Sequence, residues 1–346
     1  MADWALYLDN SLGYVVMTLI TLFLAIYLTL LQSVLTDGSV SPIITVAYQQ
    51  TIAAALLLSL ALIFQRGKRP AFSWRVLSLA FFTALLQIPI SEVLQTSSLH
   101  YVSASFLTVG LNVVPVLVFV LAVVTGREGF EFRSANGQAK LLGVVASTSG
   151  AIVLVVCHDP AGVAASGLAR AGARVVFGCV MLGLAVLAQS ASMVLVERLA
   201  LMYPADLTLS ATMSLFGTFQ TVVLAAFMER NPSSWRIGWN NKLQLLTIFL
   251  GGTVTTGLVY FGRNWCVHKK GALFTAAFSP LLVVFSFLLQ VLVLKEAAQI
   301  SSIFGSVLVI GGLYLLLWAK SKENRTSNKE GIRNSLERLN EEPLLA

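Results

Sequence analysis

The chain has 346 residues, of which 57% are hydrophobic and only 11% charged, and its formal net charge is +7. Soluble globular domains carry about 25% charged residues, so this composition excludes a soluble protein, which could not cover its surface with polar groups. An integral membrane protein is the class that remains.

The positions of the charged residues predict how the chain crosses the membrane. The 39 Lys, Arg, Asp and Glu residues leave ten charge-free stretches of at least 16 residues. In chain order they are 10–36, 38–65, 76–91, 93–126, 141–158, 175–196, 207–228, 243–262, 271–294 and 297–319. About 20 apolar residues span a ~30 Å hydrocarbon core as a helix, and the runs lack the short alternating pattern of a β-barrel. The pattern predicts an all-α integral membrane protein with ten transmembrane helices.

The basic residues predict the orientation of these helices. With the N-terminus in the cytosol, 17 Lys and Arg residues fall on the cytosolic side and 6 on the other. This bias matches the positive-inside rule, so we expect both termini in the cytosol. The net positive charge is then an orientation signal, and we expect no nucleic-acid partner.

The sequence also indicates an internal repeat, because three landmarks recur at offsets of 165, 168 and 162 residues. They are Pro115 and Pro280, the charged pairs Arg127-Glu128 and Lys295-Glu296, and the glycine pairs Gly143/Gly150 and Gly305/Gly312. An odd number of helices in each half makes the second half enter from the opposite side, which is typical of secondary transporters. We therefore predict two inverted five-helix repeats.

The predicted division is a first repeat at 1–158, a linker at 159–174, a second repeat at 175–319 and a disordered cytosolic tail at 320–346. The glycine pairs are expected to let the fifth and tenth helices pack closely. Pro115 and Pro280 are expected to be helix kinks that shape a central cavity.

Several segments resemble the plant drug/metabolite exporters, the nodulin-like or walls-are-thin-related proteins with two EamA-type halves. They are Ser41–Tyr48, Arg66–Pro70, Ala104–Phe106, Asn112–Pro115, Tyr203–Ser210, Trp235–Trp239, Lys269–Gly271, Phe278–Pro280, Leu294–Glu296, Gly312–Tyr314 and Trp318–Glu323. One departure is visible, since Gln49 and Gln50 stand where that family tends to have a basic residue after the tyrosine. The resemblance implies a ten-helix transporter fold and movement of small organic solutes such as amino acids or auxin-like compounds.

Glu92 is the clearest candidate for a functional side chain, because ionisable residues inside a bilayer are costly and functional by default. At 1.5 Å per residue it lies roughly 25 Å beyond Arg75, in the outer third of the third helix. A carboxylate there suits proton coupling or the binding of a substrate ammonium group. The alternatives are a glutamate that reaches the outer interface or a structural hydrogen bond.

Other candidates for substrate binding or proton coupling are polar groups in predicted spans. Arg263, Asn264 and Trp265 offer a guanidinium, an amide and a ring that could hold a carboxylate or aromatic solute. Arg263 could equally be a cytosolic anchor beside Lys269 and Lys270, and Trp265 an interfacial residue. Asn112 and Gln189 are further candidates. Interhelical hydrogen bonding is expected to explain most of the others, including Gln50 and Gln87.

The predicted function is a secondary transporter that works by alternating access, with a small-molecule solute, protons where transport is coupled to them, and membrane lipid as its partners. No nucleotide-binding loop and no cluster with metal-ligand spacing occurs in the sequence, so neither enzymatic activity nor a cofactor or metal is expected. The alternatives are a receptor or scaffold that signals through its tail, and a membrane-embedded enzyme. Plasma membrane and vacuolar membrane are both open as locations, and the oligomeric state is unknown.

Overall fold

The computed structural model describes residues 12–27, 42–65, 70–98, 101–102, 107, 110–126, 134–158, 173–230, 235, 242–293 and 304–322. The regular structure within these ranges is helical throughout. Most of the expected linker (159–172) and of the expected tail (323–346) lies outside the described residues.

The helices are labelled in chain order. The first five are α1 (Leu12–Tyr27), α2 (Pro42–Phe64), α3 (Trp74–Leu85, π-helical Leu86–Ile90 and Ser91–Ser98), α4 (Val114–Val124) and α5 (Ala135–His158). The others are α6 (Ala173–Met202), α7 (Asp206–Met228), α8 (Lys242–Leu250, π-helical Gly251–Val259 and Tyr260–Lys270), α9 (Ala272–Ala277 and Ser279–Val293) and α10 (Phe304–Lys322).

Seven helices of the described residues are long and apolar enough to cross a membrane. They are Ile43–Phe64, Trp74–Gln95, Val175–Met202, Asp206–Met228, Leu245–Lys270, Ala272–Leu289 and Phe304–Lys322. The apolar helices α1 and α4 are shorter. The protein is therefore a helical multi-pass membrane protein, while the count of ten spans stays a prediction.

Two helices change pitch at corresponding places in the chain. In α3, Pro89 lies inside the π-helical segment, where its missing N–H interrupts regular α-helical bonding. In α8 the π-helical segment begins at Gly251, which is 165 residues after the first residue of the segment in α3, Leu86. Each segment sets the direction of the side chains that follow it.

The prolines expected to kink helices lie at helix starts instead. Pro115 is in the first turn of α4, after a turn at residues 112–113. Pro280 is the second residue of the second part of α9, after a turn at residue 278. A proline is tolerated in a first turn because the N–H groups there lack intrahelical partners. The helices are thus interrupted two or three residues before each proline.

Helices α5 and α10 pack backbone against backbone, which confirms the prediction made from the glycine pairs. A Cβ atom at Gly143 would lie 2.8 Å from the carbonyl oxygen of Gly312, and one at Gly150 would lie 2.9 Å from that of Gly305. The two helices therefore cross antiparallel, with small residues permitting the close approach.

Apolar clusters hold the remaining helices around α2, α3, α7 and α8. One cluster joins α6 to α3, α4 and α7 through side chains such as Leu182, Val118 and Met213. A second joins α9 and α10 to α1 and α5 through Phe274 and Val309, among others. Helix α2 packs along α7 and along the π-helical segment of α8. This arrangement brings the C-terminal parts of α3 and α8 to the centre of the bundle.

Candidate functional site

Glu92 lies in the interior of the bundle. It is the second residue of the last part of α3 and directly follows the π-helical segment. Its side chain is surrounded by protein and partly exposed. The position fits the expectation that this carboxylate lies within a span.

Gln50 of α2 is the hydrogen-bond donor to this carboxylate. Its Nε2 lies 3.4 Å from Oε2 of Glu92. The side chain is only 1% exposed, and its backbone carbonyl accepts a hydrogen bond from Thr218 of α7 at 3.0 Å. Among the described residues Oε1 of Gln50 has no hydrogen-bond partner. An amide oxygen with unused capacity therefore belongs to the same side chain that binds Glu92.

Arg263 of α8 supplies a positive charge to the same region. It interacts electrostatically with Glu92. Its Nη2 donates to Sδ of Met193 on α6 at 3.2 Å, and a thioether is a weak acceptor. In the described part of the chain this is the one hydrogen-bond acceptor found for a group that carries five N–H donors. Most of the donors of Arg263 are thus available to a bound anion.

The location of Arg263 bears on the two roles considered for it, which are binding a solute and anchoring the helix at the cytosolic side. The apolar span of α8 continues from Leu245 to Lys270, seven residues beyond Arg263. At 1.5 Å per residue this places Arg263 about 10 Å inside the end of the helix. This position and the electrostatic interaction with Glu92 favour a role within the bundle over an anchor beside Lys269 and Lys270.

Polar contacts continue along one face of α8 from the centre to the end of the helix. Tyr260, Asn264 and His268 are four residues apart and therefore share a face. Tyr260 donates to Gln87 of α3, while Asn264 donates to Ser210 and His268 pairs with Asp206, both of α7. The distances are 3.2 Å from Oη of Tyr260 to Oε1 of Gln87, 3.3 Å from Nδ2 of Asn264 to Oγ of Ser210 and 2.5 Å from Nδ1 of His268 to Oδ1 of Asp206. These contacts fix the rotation of α8.

Gln49 precedes Gln50 and also departs from the family pattern, but it has a different environment. Its Nε2 donates to Oη of Tyr27 on α1 at 2.5 Å and lies 3.4 Å from the carbonyl oxygen of Thr247 on α8. Gly251 permits this contact, because a side chain there would collide with the amide of Gln49 and the hydroxyl of Tyr27. Gln49 thus links α1, α2 and α8 next to the site.

The remaining candidate residues lie further away or face elsewhere. Gln189 of α6 accepts a hydrogen bond from Nε2 of Gln95 at 3.0 Å, one turn of α3 beyond Glu92. Asn112 is buried in the turn before α4. Trp265 packs against the second apolar cluster. The structure therefore brings Glu92, Arg263 and Asn264 together through Tyr260, and it places Gln189 nearby.

Sequence reasoning gave little weight to the residues that connect this site. Gln50 and Gln87 were assigned to general interhelical hydrogen bonding, and Tyr260 and Met193 were not singled out. The four-residue spacing of Tyr260 and Asn264 is a signal that could have identified the tyrosine. Met193 has no such signal, because a methionine in an apolar helix looks like any other packing residue.

The arrangement can bind charged groups of a solute. A guanidinium binds carboxylates through two parallel hydrogen bonds, and a partly desolvated carboxylate can hold an ammonium group or a proton. Both charges lie within helices that are long and apolar enough to cross a membrane, and both side chains are partly exposed. Geometry and charge thus fit a binding site within the membrane.

Comparison with known proteins finds a family and relatives that match most of this chain. The sequence profile of the EamA-like transporter family matches residues 11–156 and 176–318. The WAT1-related protein At3g30340 of Arabidopsis thaliana is 29% identical over 322 residues, covering 90% of this chain and 88% of its own length. The WAT1-related protein At5g64700 of the same plant is 28% identical over 350 residues, covering 94% of each.

A solved crystal structure has a similar fold. It superposes with a TM-score of 0.65 at 19% sequence identity, covering 90% of this chain and 98% of that one. At this level of identity the likeness concerns the fold alone.

Proposed function

The chain belongs to the EamA-like transporter family, and on that premise we propose that it moves small organic solutes across a membrane by alternating access. The observation that carries the proposal is the pair of opposite charges, Glu92 and Arg263, which lie within the apolar spans of α3 and α8 and interact electrostatically. Opposite charges kept inside apolar spans are costly without a functional use. Amino acids and auxin-like carboxylates are the solute classes we would test first.

Alternating access requires two halves that can rock about a central site, and several observations support two inverted repeats. Gly143 faces Gly312 while Gly150 faces Gly305. Gly305 and Gly312 are 162 residues after Gly143 and Gly150 respectively, so each glycine meets the counterpart of the other. Such a reciprocal contact is what a two-fold axis between equivalent helices produces.

The π-helical segments and the interrupted helices support the same repeat. The segments in α3 and α8 begin 165 residues apart, as do Pro115 and Pro280 after their interruptions. We propose halves at 1–158 and 175–319, joined by residues 159–174 and followed by a cytosolic tail at 320–346. The membrane would be the plasma membrane or the vacuolar membrane, with both termini in the cytosol.

Transport without a nucleotide-binding site would be driven by a gradient, and Glu92 is the proposed proton-coupling group. A carboxylate beside a guanidinium can exchange a proton or a solute ammonium group as the surrounding helices move. Gln50 would hold the carboxylate in place, and Arg263 would bind the carboxylate of the solute. Asn112, Gln189, Asn264 and Trp265 are proposed to line the path or to orient its helices.

The experiment is uptake of radiolabelled amino acids and auxins into proteoliposomes, with and without a proton gradient. We expect gradient-dependent uptake of at least one solute by the unmodified protein, and loss of the gradient-dependent part in Glu92→Gln. Glu229→Gln is the matched control, because it removes a carboxylate at the end of α7, away from the site. Full gradient-driven uptake by Glu92→Gln would remove the proton role, and absence of any uptake would count against the transporter proposal.

A further inference from the structure

Two tyrosines form hydrogen bonds at opposite ends of the bundle, and each bond connects a helix or connection of the first half to one of the second. Tyr203, between α6 and α7, donates from Oη to the backbone carbonyl of Pro70 at 3.2 Å. Tyr48 of α2 donates to the backbone carbonyl of Trp235 at 2.9 Å. Pro70 lies between α2 and α3, and Trp235 lies between α7 and α8.

Each hydrogen bond is accompanied by a contact between aromatic rings. Phe72 stacks on Tyr203 with ring centroids 4.5 Å apart and ring planes 9° from parallel. The ring of Trp235 meets that of Tyr48 edge-on, with centroids 6.4 Å apart and an interplanar angle of 71°. We call the first set (Pro70, Phe72 and Tyr203) the Tyr203 latch, and the second (Tyr48 and Trp235) the Tyr48 latch.

The latches lie at opposite ends of α2. Tyr48 is in the second turn of this helix, whereas the Tyr203 latch follows its C-terminal end, where Gln65 accepts hydrogen bonds from the backbone N–H and the hydroxyl of Thr208. The 17 residues from Tyr48 to Gln65 correspond to about 25 Å of helix. Glu92 is adjacent in sequence to Val93, which packs in the same apolar cluster as Tyr48 and Trp235.

The acceptor residues of the two latches also occupy corresponding places in the chain, whereas the donor tyrosines do not. The acceptor carbonyls belong to Pro70 and Trp235, which are 165 residues apart. The same offset separates the starts of the two π-helical segments and the two prolines that begin helices. The acceptors are therefore equivalent positions of the proposed repeat, and each connection that precedes α3 or α8 is fastened by a tyrosine of the other half.

We infer that the Tyr203 and Tyr48 latches are the gates of the solute path, one at each membrane face. Access to the centre from one face requires the halves to separate there, and separation breaks the hydrogen bond and the ring contact at that end. Both hydrogen bonds and both ring contacts are formed in this structure. The inference deepens the proposed transport mechanism and rests on it.

The proposal is tested with a single reporter cysteine at position 214, in a protein whose three native cysteines are replaced. Ser214 of α7 is buried, and it lies one turn from Ser210, which contacts Asn264. A membrane-impermeant thiol reagent is applied from one face at a time to oriented vesicles, in the absence of solute. The rate of labelling then reports how often each gate opens.

Tyr203→Phe removes the donor and keeps the ring, so it should open the gate at the Pro70 end more often. We expect labelling from that face to accelerate roughly 2- to 10-fold, the change in an opening equilibrium when one neutral hydrogen bond is lost. Tyr48→Phe should accelerate labelling from the opposite face by a similar factor. Tyr314→Phe is the control, because this tyrosine is exposed on α10 and should leave both rates unchanged.

Phe72→Leu and Trp235→Phe weaken the ring contacts and should reproduce the two effects, each at its own face. If the melting temperature of a tyrosine variant shows that it does not fold, the ring variant at the same latch is used in its place. If the Tyr203 and Tyr48 variants both accelerate labelling from the same face, or if folded variants leave both labelling rates unchanged, the gating roles are wrong. Labelling needs no solute, so the two proposals can fail separately. If the labelling rates change as expected but no solute is taken up, the gating roles stand and the proposed solute classes are wrong. If a solute is taken up but the variants leave the labelling rates unchanged, only the gating roles are wrong.

Discussion

Glu92 and Arg263 are charged residues within apolar spans, and we propose that both take part in transport. An isolated charge inside a bilayer is expensive, and the structure gives each of these charges an opposite charge within electrostatic range. Among the described residues, the hydrogen-bond acceptor of Arg263 is a thioether, which is a weak acceptor. A solute with a carboxylate can therefore compete favourably for this guanidinium.

Substitution of Arg263 tests whether its guanidinium binds the carboxylate of the solute. We expect Arg263→Gln to raise the KM for a carboxylate solute about 10- to 100-fold, because charged hydrogen bonds contribute about 1.5–3 kcal/mol. Arg263→Lys should have a smaller effect, since it keeps the charge and loses the planar fork. The measurement is concentration-dependent uptake in proteoliposomes.

Arg198→Gln is the control for a loss of positive charge, because Arg198 is exposed on α6. If Arg263→Gln leaves the KM unchanged for every transported carboxylate, Arg263 does not bind the solute. A fall in uptake rate without a change in KM would instead assign it to the motion of α8.

At the scale of helices, the sequence predicted most of the elements and some of their contacts. Charge-free stretches located the helices because charged side chains are costly inside a bilayer and are therefore rare in the spans. The contact between α5 and α10 followed from glycines, since small residues allow backbones to approach. The π-helical segments were not predicted, because their pitch results from packing around Pro89 in α3 and along α2 at Gly251.

The contact between α5 and α10 gives a prediction about stability. Gly150→Ala places a Cβ atom 2.8 Å from the backbone nitrogen of Val309, so the helices must move apart. We expect a loss of about 1–3 kcal/mol, typical of overpacking, measured as a lower melting temperature in detergent. Gly311→Ala on α10 is the matched control, since no atom lies within 4 Å of its added methyl group.

For Gly311→Ala we expect an unchanged or slightly higher melting temperature, because alanine is favoured over glycine in helices. Equal melting temperatures for Gly150→Ala and the unmodified protein would show that α5 and α10 do not rely on this close approach.

At the scale of the whole molecule, an even number of spans places both termini on the same side. The excess of basic residues on the side that would hold the termini predicts that this side is the cytosol. We expect a reporter fused to either terminus to be protected from protease added outside intact cells and to be cleaved after permeabilisation. Termini on opposite sides would exclude ten spans in two five-helix halves.

The sequence by itself determined the class of this protein, its helical nature, its family resemblance and the prominence of Glu92. These follow from composition and local pattern, because burying a charge in lipid is costly wherever it occurs. Only the tertiary structure decided which polar groups meet. Gln50, Glu92 and Arg263 are far apart in the chain, and helices that are apolar on most faces give little indication of which face turns inward. Packing and the π-helical segments set those directions, and so brought the two charges to one place.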